Sequence, residues 1–366
     1  MKKLTTPHLL VGTAANCPDI RYATSFDAPD DVYVLVLPET TFLIVSDMEY
    51  GRAIEQAQRC EVECPSSLNR LPDKRHYFLP SLFFLLEKFE VTSLEVAERF
   101  PVGIVKELEK HRITIDVVPA SPFSEKRAVK RPDEISHIAK TQKAAQAAMK
   151  AVEKAIRDAV PGKDGILYLD SEPLTSERAK EIIRSVVLAN NCIDEGTIVA
   201  GGAQGANPHE AGSGPLKEGE WIVCDIFPRD LTTGYWGDMT RTFMNGKPSS
   251  EQKRMYKAVH DAQKKALATI RNGIFGSTVH KATSKALEKA GFETFIDDKG
   301  IPQGFIHSTG HGVGLEIHEE PRLSISGGRL KTGMVVSVEP GLYYSELGGV
   351  RIEDLVVVSA DGVTVL

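Results

Sequence analysis

Acidic residues interrupt the most apolar, β-prone segments in the second half of this 366-residue chain. Asp225 stands inside WIVCDIF, Glu339 inside MVVSVEPGLYY, and Glu353 and Asp354 inside VRIEDLVVV. Asp238, in YWGDMTRTF, has a similar setting. A carboxylate in a buried strand is unfavourable unless a cation, a proton or a hydrogen-bond donor compensates its charge. The chain can therefore adopt only a fold that brings these carboxylates to such partners.

A strand-edge charge or a buried ion pair would explain any one of these acids taken alone. Four carboxylates in one pocket require neutralisation by protons or cations. Two divalent cations supply +4 against the −4 of Asp225, Asp238, Glu339 and Glu353, and a bridging hydroxide would leave the site near −1. Carboxylates joined by one or two histidines, without thiolates, suit manganese, cobalt, iron or zinc.

The segment HSTGHGVGLEIHEEP, residues 307–321, holds three of the ten histidines: His307, His311 and His318. Its glycines disfavour a helix, at about 1 kcal/mol each relative to alanine. The pattern instead predicts a glycine-rich turn that leads into a half-buried strand at LEIHE, residues 315–319. The GHGVG piece matches a dinucleotide-binding loop only weakly, because no strand precedes it and no helix follows it.

The composition excludes several functional classes. A formal net charge of −6 leaves no basic excess for a general nucleic-acid binder. No segment has the roughly 20 apolar residues that a membrane span requires, and the N-terminus is a poor signal peptide. The five cysteines are odd in number and form no zinc pattern, so we expect reduced thiols in a cytoplasmic protein.

The chain is too long for one ordinary core and is expected to form two domains. We predict a smaller α/β domain over residues 1–125, with a hairpin at 31–47, helices near 48–59 and 77–89, and a strand at 113–120. The polar, proline-containing stretch 121–134 marks the boundary. Residues 126–366 are predicted to run helices, strands, helices, strands, with helices at 133–159 and near 175–190, 250–271 and 277–290. That order is compatible with two αβ halves, although the sequence shows no repeat.

Together these motifs resemble the pita-bread metallopeptidases, which include methionine aminopeptidase, aminopeptidase P, prolidase and the metal-free relative creatinase. The resemblance covers residues 130–366 and implies an α+β chain with a C-terminal pita-bread domain. DIRYATSF, residues 19–26, resembles the start of a creatinase-type N-terminal α/β domain. The family's ligand order is Asp, Asp, His, Glu, Glu, and the corresponding positions here are Asp225, Asp238, His311, Glu339 and Glu353.

The resemblance also implies a mechanism, in which a hydroxide bridging two divalent ions, manganese foremost, attacks the scissile carbonyl. Glu339 would transfer the proton from the nucleophile to the leaving amine, and His318 would stabilise the oxyanion. His307 would serve in catalysis and, with His209 and His318, would line the pocket for the substrate. Arg351 would support the carboxylates or contact the substrate. The implied substrate is a small peptide with proline at its second position, and the family predicts a homodimer.

A histidine four residues before the metal histidine, here His307, is typical of the proline-directed branch. The sequence departs from the family at Phe227, which occupies the glycine position of the usual Asp-x-Gly motif. This change leaves open whether proline is strictly required, and the sequence does not distinguish a dipeptidase from an aminopeptidase. Two alternatives remain: a metal-independent, creatinase-like C–N hydrolase, and an inactive pita-bread module that serves in binding.

Overall fold

The computed structural model describes residues 6–73, 76–119 and 121–366. The chain divides into two compact units between Arg127 and Ala128. All five cysteines are free thiols, as the sequence predicts. No helix in the described ranges is long and apolar enough to cross a membrane.

The N-terminal unit is a mixed sheet with helices, and its described strands lie in the order β4-β3-β2-β1-β5-β6. The strands are His8–Gly12 (β1), Val32–Val36 (β2), Thr41–Ile44 (β3), Glu61–Glu63 (β4), Ser93–Ala97 (β5) and Thr114–Val118 (β6). The helices are Pro18–Thr24 (α1), Asp47–Gln56 (α2), Leu79–Lys88 (α3) and Val102–Lys110 (α4). Strands β2 and β3 pair antiparallel, which confirms the predicted hairpin.

A short helix, Ser124–Ala128 (α5), crosses the division between the units. The C-terminal unit then contains the long helices Pro132–Asp158 (α6), Ser176–Ala189 (α7), Ser250–Thr269 (α8) and Gly276–Lys289 (α9). Helix α8 starts with a capping box, in which Ser249 Oγ accepts from Gln252 N–H and Gln252 Oε1 accepts from Ser249 N–H. The four helices confirm those that the sequence predicts.

The first strands of this unit form sheets in the orders β7-β8-β9, β10-β13 and β11-β12-β14. They are Val160–Pro161 (β7), Leu167–Leu169 (β8), Glu172–Pro173 (β9), Cys192–Asp194 (β10), Ile198–Gly201 (β11), Ile222–Ile226 (β12), Pro228–Asp230 (β13) and Met239–Phe243 (β14). A 3₁₀ turn, Gly202–Ala206, follows β11.

The later strands include a five-stranded sheet in the order β18-β17-β19-β22-β23. They are Phe295–Ile296 (β15), Pro302–Gln303 (β16), Gly310–Gly312 (β17), Glu319–Leu323 (β18), Val335–Val338 (β19), Gly341–Tyr344 (β20), Gly348–Arg351 (β21), Asp354–Val358 (β22) and Val363–Val365 (β23).

The C-terminal unit consists of two αβ halves. Buried side chains of α6 and α7, such as Met149 and Ile183, form one core with Ile222 of β12. Buried side chains of α8 and α9, such as Ala266 and Val279, form another core with strands β19 and β22. Each half thus packs a helix pair onto a sheet, which confirms the arrangement that the order of elements indicates.

The histidine-rich segment differs from its prediction. The glycines around His311 form strand β17, whereas residues 313–318, most of the predicted strand, form a loop that precedes β18. A Cβ on Gly310 would come within 2.0 Å of Ser337 O, and one on Gly312 within 2.3 Å of Glu320 O. These glycines are therefore required because neighbouring strands pack closely against β17.

Candidate metal centre

Two sheets of the C-terminal unit, β11-β12-β14 and β18-β17-β19-β22-β23, bring the five predicted ligands together. Asp225 lies in β12 and Asp238 immediately precedes β14, while His311 lies in β17, Glu339 follows β19 and Glu353 precedes β22. The backbone joins the two sheets directly, because Glu353 N–H donates to Thr240 O of β14 at 3.0 Å. Within the second sheet, Glu339 N–H donates to Thr309 O at 2.9 Å.

Asp238, His311 and Glu353 form the tightest part of this group. One potential ligand atom from each lies within 4.8 Å of the other two, and all three side chains are buried. His311 Nε2 is 3.7 Å from Asp238 Oδ2 and 3.1 Å from Glu339 Oε1. Such a convergence of carboxylate and imidazole atoms is the chemistry that divalent transition metals bind.

The hydrogen bonds of His311 leave Nε2 as its ligand atom. Nδ1 lies 3.2 Å from Gly312 O, which can only accept, so Nδ1 carries a proton. Without a metal, Nε2 also needs a proton to face the Glu339 carboxylate. A cation would replace that second proton, because metal ligands bind in their deprotonated forms.

Two carboxyl groups of the site resist ionisation. Burial raises the pKa of Asp238, and the neighbouring charges of Glu353 and Asp225 raise it further. Burial and the charges of Glu339 and Asp225 likewise raise the pKa of Glu353 well above its usual range. Only a positive charge would relieve this repulsion while both groups stay ionised.

Glu339 behaves differently. Burial alone would raise its pKa, but hydrogen bonding to His311 and the positive charges nearby lower it to about 2.

Among the described residues, Glu353 Oε1 is buried and has no hydrogen-bond partner. A buried carboxylate oxygen without a donor, beside two more carboxylates and an imidazole nitrogen, is the donor set of a divalent cation site. The residues present therefore fit the metal that the sequence predicts.

Arg351 contributes a positively charged side chain to this group of carboxylates. Its buried guanidinium donates to Asp225 Oδ2 at 2.8 Å, to Thr240 Oγ1 at 3.1 Å and to Tyr343 Oη at 2.8 Å. The Thr240 hydroxyl is 2.8 Å from both Asp225 Oδ1 and Glu353 Oε2, and its single proton serves one of them at a time.

A directional chain of hydrogen bonds continues from Arg351 to His307. Arg351 donates to the Tyr343 hydroxyl, which donates in turn to His307 Nε2 at 2.9 Å, because His307 Nδ1 already donates to Ser308 O at 2.7 Å. Burial lowers the pKa of His307, consistent with a neutral ring. Both nitrogens of His307 are thus occupied, and the ring can contact a substrate only by packing.

A cavity of about 590 Å³ opens onto the ligands. The predicted residues His209, His307, His318 and Arg351 all line it. Its apolar lining includes Ile198, Phe227, Ile306 and Ile317. The Phe227 ring fills space beside Gly196, where a Cβ would lie 3.1 Å from the ring.

His318 stands against the metal ligand. Its ring meets His311 edge to face, with the ring centroids 4.3 Å apart. Burial and the nearby charges of His311 and Arg322 lower the pKa of His318 to about 4. The ring is therefore neutral near pH 7 and can donate one hydrogen bond towards the cavity.

Sequence reasoning did not identify four polar residues of this region. Thr240 joins two carboxylates, Tyr343 joins Arg351 to His307, Gln142 holds Asp238, and Arg322 lines the cavity. The alternation in MTRTF places Thr240 on one face of its strand and could have indicated it. Gln142 comes from helix α6, far away in the sequence, and no local pattern marks it.

The amide of Gln142 clamps the backbone of Asp238. Gln142 Nε2 donates to Asp238 O and Asp238 N–H donates to Gln142 Oε1, both at 2.8 Å. We expect Gln142→Met to weaken binding of a divalent cation by about 10–100-fold, the usual effect of losing support behind a ligand. Calorimetric titration of Mn²⁺ into metal-free protein would measure the change. Gln146→Met, one helical turn away on α6, is the matched control, and equal losses in both variants would contradict this role.

The comparisons with known proteins agree with this geometry. The sequence pattern described as metallopeptidase family M24 matches residues 136–360. The Xaa-Pro dipeptidase of Pyrococcus horikoshii is 30% identical over 351 residues, which cover 95% of this chain and 90% of that protein. A crystal structure of the prolidase from the same organism has a TM-score of 0.79 at 26% identity, covering 99% of this chain and 93% of that chain.

The fold extends to a second named activity. The X-Pro aminopeptidase from Thermotoga maritima has a TM-score of 0.81, at 22% identity, over 99% of this chain and 95% of that chain. The family pattern spans most of the C-terminal unit, and the similarity to the Pyrococcus dipeptidase spans nearly the whole chain. On this evidence the chain belongs to metallopeptidase family M24.

Proposed function

We propose that this protein is a metal-dependent peptidase that hydrolyses the Xaa-Pro bond in dipeptides or at the N-terminus of peptides. The observation that carries the proposal is the buried group of Asp238, His311 and Glu353 at the wall of a cavity of about 590 Å³. The similarity to a protein named Xaa-Pro dipeptidase supports the choice of substrate. Residues 126–366 would form the catalytic domain, and residues 1–125 a creatinase-type domain.

The five residues Asp225, Asp238, His311, Glu339 and Glu353 would hold two divalent ions, with Mn²⁺ as the first choice and Co²⁺, Zn²⁺ or Fe²⁺ as alternatives. Bound ions of this kind polarise a carbonyl oxygen and make a water molecule acidic enough to react near neutral pH. The unpartnered oxygen of Glu353 and the raised pKa of Asp238 favour this use of the site.

Each remaining residue has a role that its position favours. Glu339, beside His311, would accept a proton from the attacking water and pass it to the leaving amine. His318 would donate a hydrogen bond to the carbonyl oxygen as negative charge develops there. His307 would pack against the proline ring, since both its nitrogens are occupied, and His209 would contact the substrate from the exposed side of the cavity.

Proline specificity finds support in the apolar part of the cavity. The side chains of Ile198, Phe227 and Ile306 offer apolar surface to a ring that has no N–H to donate in the scissile amide. Phe227, which departs from the usual glycine, lies in this wall. We further propose that the protein is cytoplasmic, as its composition leads us to expect, and a homodimer, as the family resemblance alone implies.

A substrate panel tests the proposal. Protein loaded with Mn²⁺, Co²⁺ or Zn²⁺ should cleave Xaa-Pro dipeptides, or Xaa-Pro-Yaa tripeptides, at least about 100-fold faster than the matching Xaa-Ala peptides. Creatine serves as the control for the creatinase-like alternative. Equal rates on proline and alanine substrates would reject proline specificity, and turnover of creatine by chelator-treated protein would favour the C–N hydrolase.

Arg322 should decide the preferred substrate length. Arg322 lines the cavity, and its guanidinium forms no hydrogen bond or ion pair with another described residue, so it can bind a carboxylate. We expect Arg322→Met to raise KM for an Xaa-Pro dipeptide by about 10–100-fold, the loss of one charge-assisted hydrogen-bond pair. A C-terminally amidated dipeptide should be affected less than threefold. Equal effects on the free acid and the amide would contradict a carboxylate contact.

A further inference from the structure

A buried ion pair of the C-terminal unit includes Glu319, the residue that follows His318 of the cavity wall. Lys130, between α5 and α6, donates to Glu319 Oε1 at 2.7 Å, and the two residues are only 5% and 9% exposed. Neither residue lines the cavity. Burial of two charges costs much of what their attraction returns, so the pair is poorly explained as a source of stability alone.

Glu319 opens strand β18 and immediately follows His318. Its carboxylate turns back beneath the loop of residues 313–318. Oε2 accepts a hydrogen bond from Glu316 N–H at 3.3 Å, and Oε1 lies where a Cβ on Gly314 would be only 2.4 Å away. The carboxylate therefore joins the loop backbone to the buried ammonium group of Lys130.

Trp236 holds the other side of the same loop. Its backbone N–H donates to Gly314 O at 2.9 Å, and its indole Nε1–H donates to Leu315 O at 3.2 Å. Beyond Leu315, the Glu319 carboxylate accepts a hydrogen bond from the loop backbone at Glu316 N–H. The ion pair thus contacts the half of the loop that carries His318 through Glu316.

The His318 ring has no hydrogen bond of its own to a described residue. Its one ring contact is the edge-to-face packing on His311. The backbone of the loop must therefore determine where the free N–H of this imidazole points.

We propose that Lys130 and Glu319 are positioning residues for His318, which they hold at the cavity through the backbone of residues 316–318. This inference rests on the proposed function, because the group that they position acts on the substrate of that reaction. The ammonium group fixes the carboxylate, the carboxylate fixes the Glu316 amide, and the loop presents the His318 ring. The pair touches neither substrate nor metal.

A double-mutant cycle with His318 tests this. Lys130→Met should lower kcat for an Xaa-Pro dipeptide by about 10–100-fold, the range for losing support behind a site residue. KM and the metal content should change less than threefold. In a His318→Asn background, the same Lys130→Met substitution should lower kcat less than twofold, because its effect passes through His318. Glu319→Gln should give the same pattern.

Hydrogen exchange provides a readout that does not depend on activity. The Glu316 amide should exchange faster in Lys130→Met and Glu319→Gln than in the wild type, while amides of β19 keep their wild-type rates. If the wild type cleaves no Xaa-Pro substrate, the proposed function fails, and the exchange rates alone judge the positioning of the loop.

The matched control is the Arg127–Asp19 pair of the N-terminal unit, at 2.9 Å and about equally buried. Arg127→Met should change kcat by the same factor with and without His318→Asn. The inference is overturned if Lys130→Met lowers kcat equally in both backgrounds, or if the Glu316 amide keeps its wild-type exchange rate. It is also overturned if neither Lys130→Met nor Glu319→Gln folds, since the pair would then serve general stability.

Discussion

Asp238→Asn should reduce kcat/KM for an Xaa-Pro dipeptide by at least about 10³-fold, equivalent to about 4 kcal/mol of transition-state stabilisation. Asp238 lies in the tightest part of the ligand group, within 4.8 Å of potential ligand atoms of His311 and Glu353. The amide nitrogen that replaces one carboxylate oxygen has no lone pair available to coordinate a cation, and one negative charge is lost. Steady-state kinetics with saturating Mn²⁺ would measure the effect.

The same substitution should stabilise the metal-free protein near pH 8. Burial and the charges of Glu353 and Asp225 raise the pKa of Asp238 in the folded state. When the pKa of a carboxyl group is higher in the folded than in the unfolded state, the group adds to the free energy of unfolding at low pH. That contribution is complete below the unfolded pKa of about 3.9 and is lost as the pH rises through the folded pKa. Asparagine does not titrate, so its variant does not lose stability in this way. We expect the melting temperature of the metal-free variant to exceed that of the wild type by about 2–8 °C.

The difference in melting temperature between Asp238→Asn and the wild type should shrink as the pH falls from 8. It should become small as the pH passes below the raised pKa of Asp238 in the folded state and approaches its pKa in the unfolded state. Asp230→Asn is the matched control, because Asp230 is also fully buried. Burial alone would raise the pKa of Asp230, but hydrogen bonds from Thr233 and Lys140 lower it. That variant should be less stable than the wild type at pH 8 and should keep its activity. Lower stability of metal-free Asp238→Asn at pH 8 would contradict the account of the site.

Arg351→Met should destabilise the metal-free protein by about 3–5 kcal/mol, the range for removing one partner of a buried charge pair. The guanidinium is buried, and it donates to Asp225, Thr240 and Tyr343 at 2.8–3.1 Å. Its loss would leave the carboxylates without the cation of the chain and would release the Tyr343 hydroxyl. Unfolding by urea, followed by tryptophan fluorescence, would measure the change.

Bound metal should reduce the destabilisation by Arg351→Met, because the cations neutralise the carboxylate charges that the guanidinium no longer balances. Arg241→Met is the control. Arg241 also donates to the segment around Glu353, through its pairing with Asp354 at 2.6 Å, but it is about one-quarter exposed. Such a pair contributes about 0–1 kcal/mol. An equal loss of stability in both variants would show that Arg351 has no special role in neutralising the site.

The ligands of the site could be predicted from the sequence because each of them is costly where it stands. Asp225 and Glu353 interrupt apolar strands, and their charges demand partners that the neighbouring residues do not supply. The helices could be predicted for a different reason, since α6 and α8 have long amphipathic patterns and recognisable N-terminal ends. Family resemblance then added the order of the ligands.

The loop of residues 313–318 could not be predicted from alternation alone. LEIHE has the period of a strand, but hydrogen bonds hold its backbone in a turn. They come from Trp236, which is distant in sequence, and from the side chain of Glu319, the last residue of this segment. The roles of Gln142 and Lys130 could not be predicted either, because their partners are distant in sequence. Gln142 is 96 residues from Asp238, and Lys130 is 189 residues from Glu319. Local patterns report the chemistry of a residue, whereas tertiary contacts determine what supports it.

We propose above all that this carboxylate–histidine group uses two divalent ions to cleave Xaa-Pro bonds. The most direct measurement is the rate of Xaa-Pro dipeptide hydrolysis by chelator-treated protein as Mn²⁺ is added in steps. We predict no detectable activity without metal and a rise that reaches its plateau at about two equivalents per chain, with no such rise in Asp238→Asn. Full activity in the chelator-treated wild type, or the same rise in the variant, would contradict the claim.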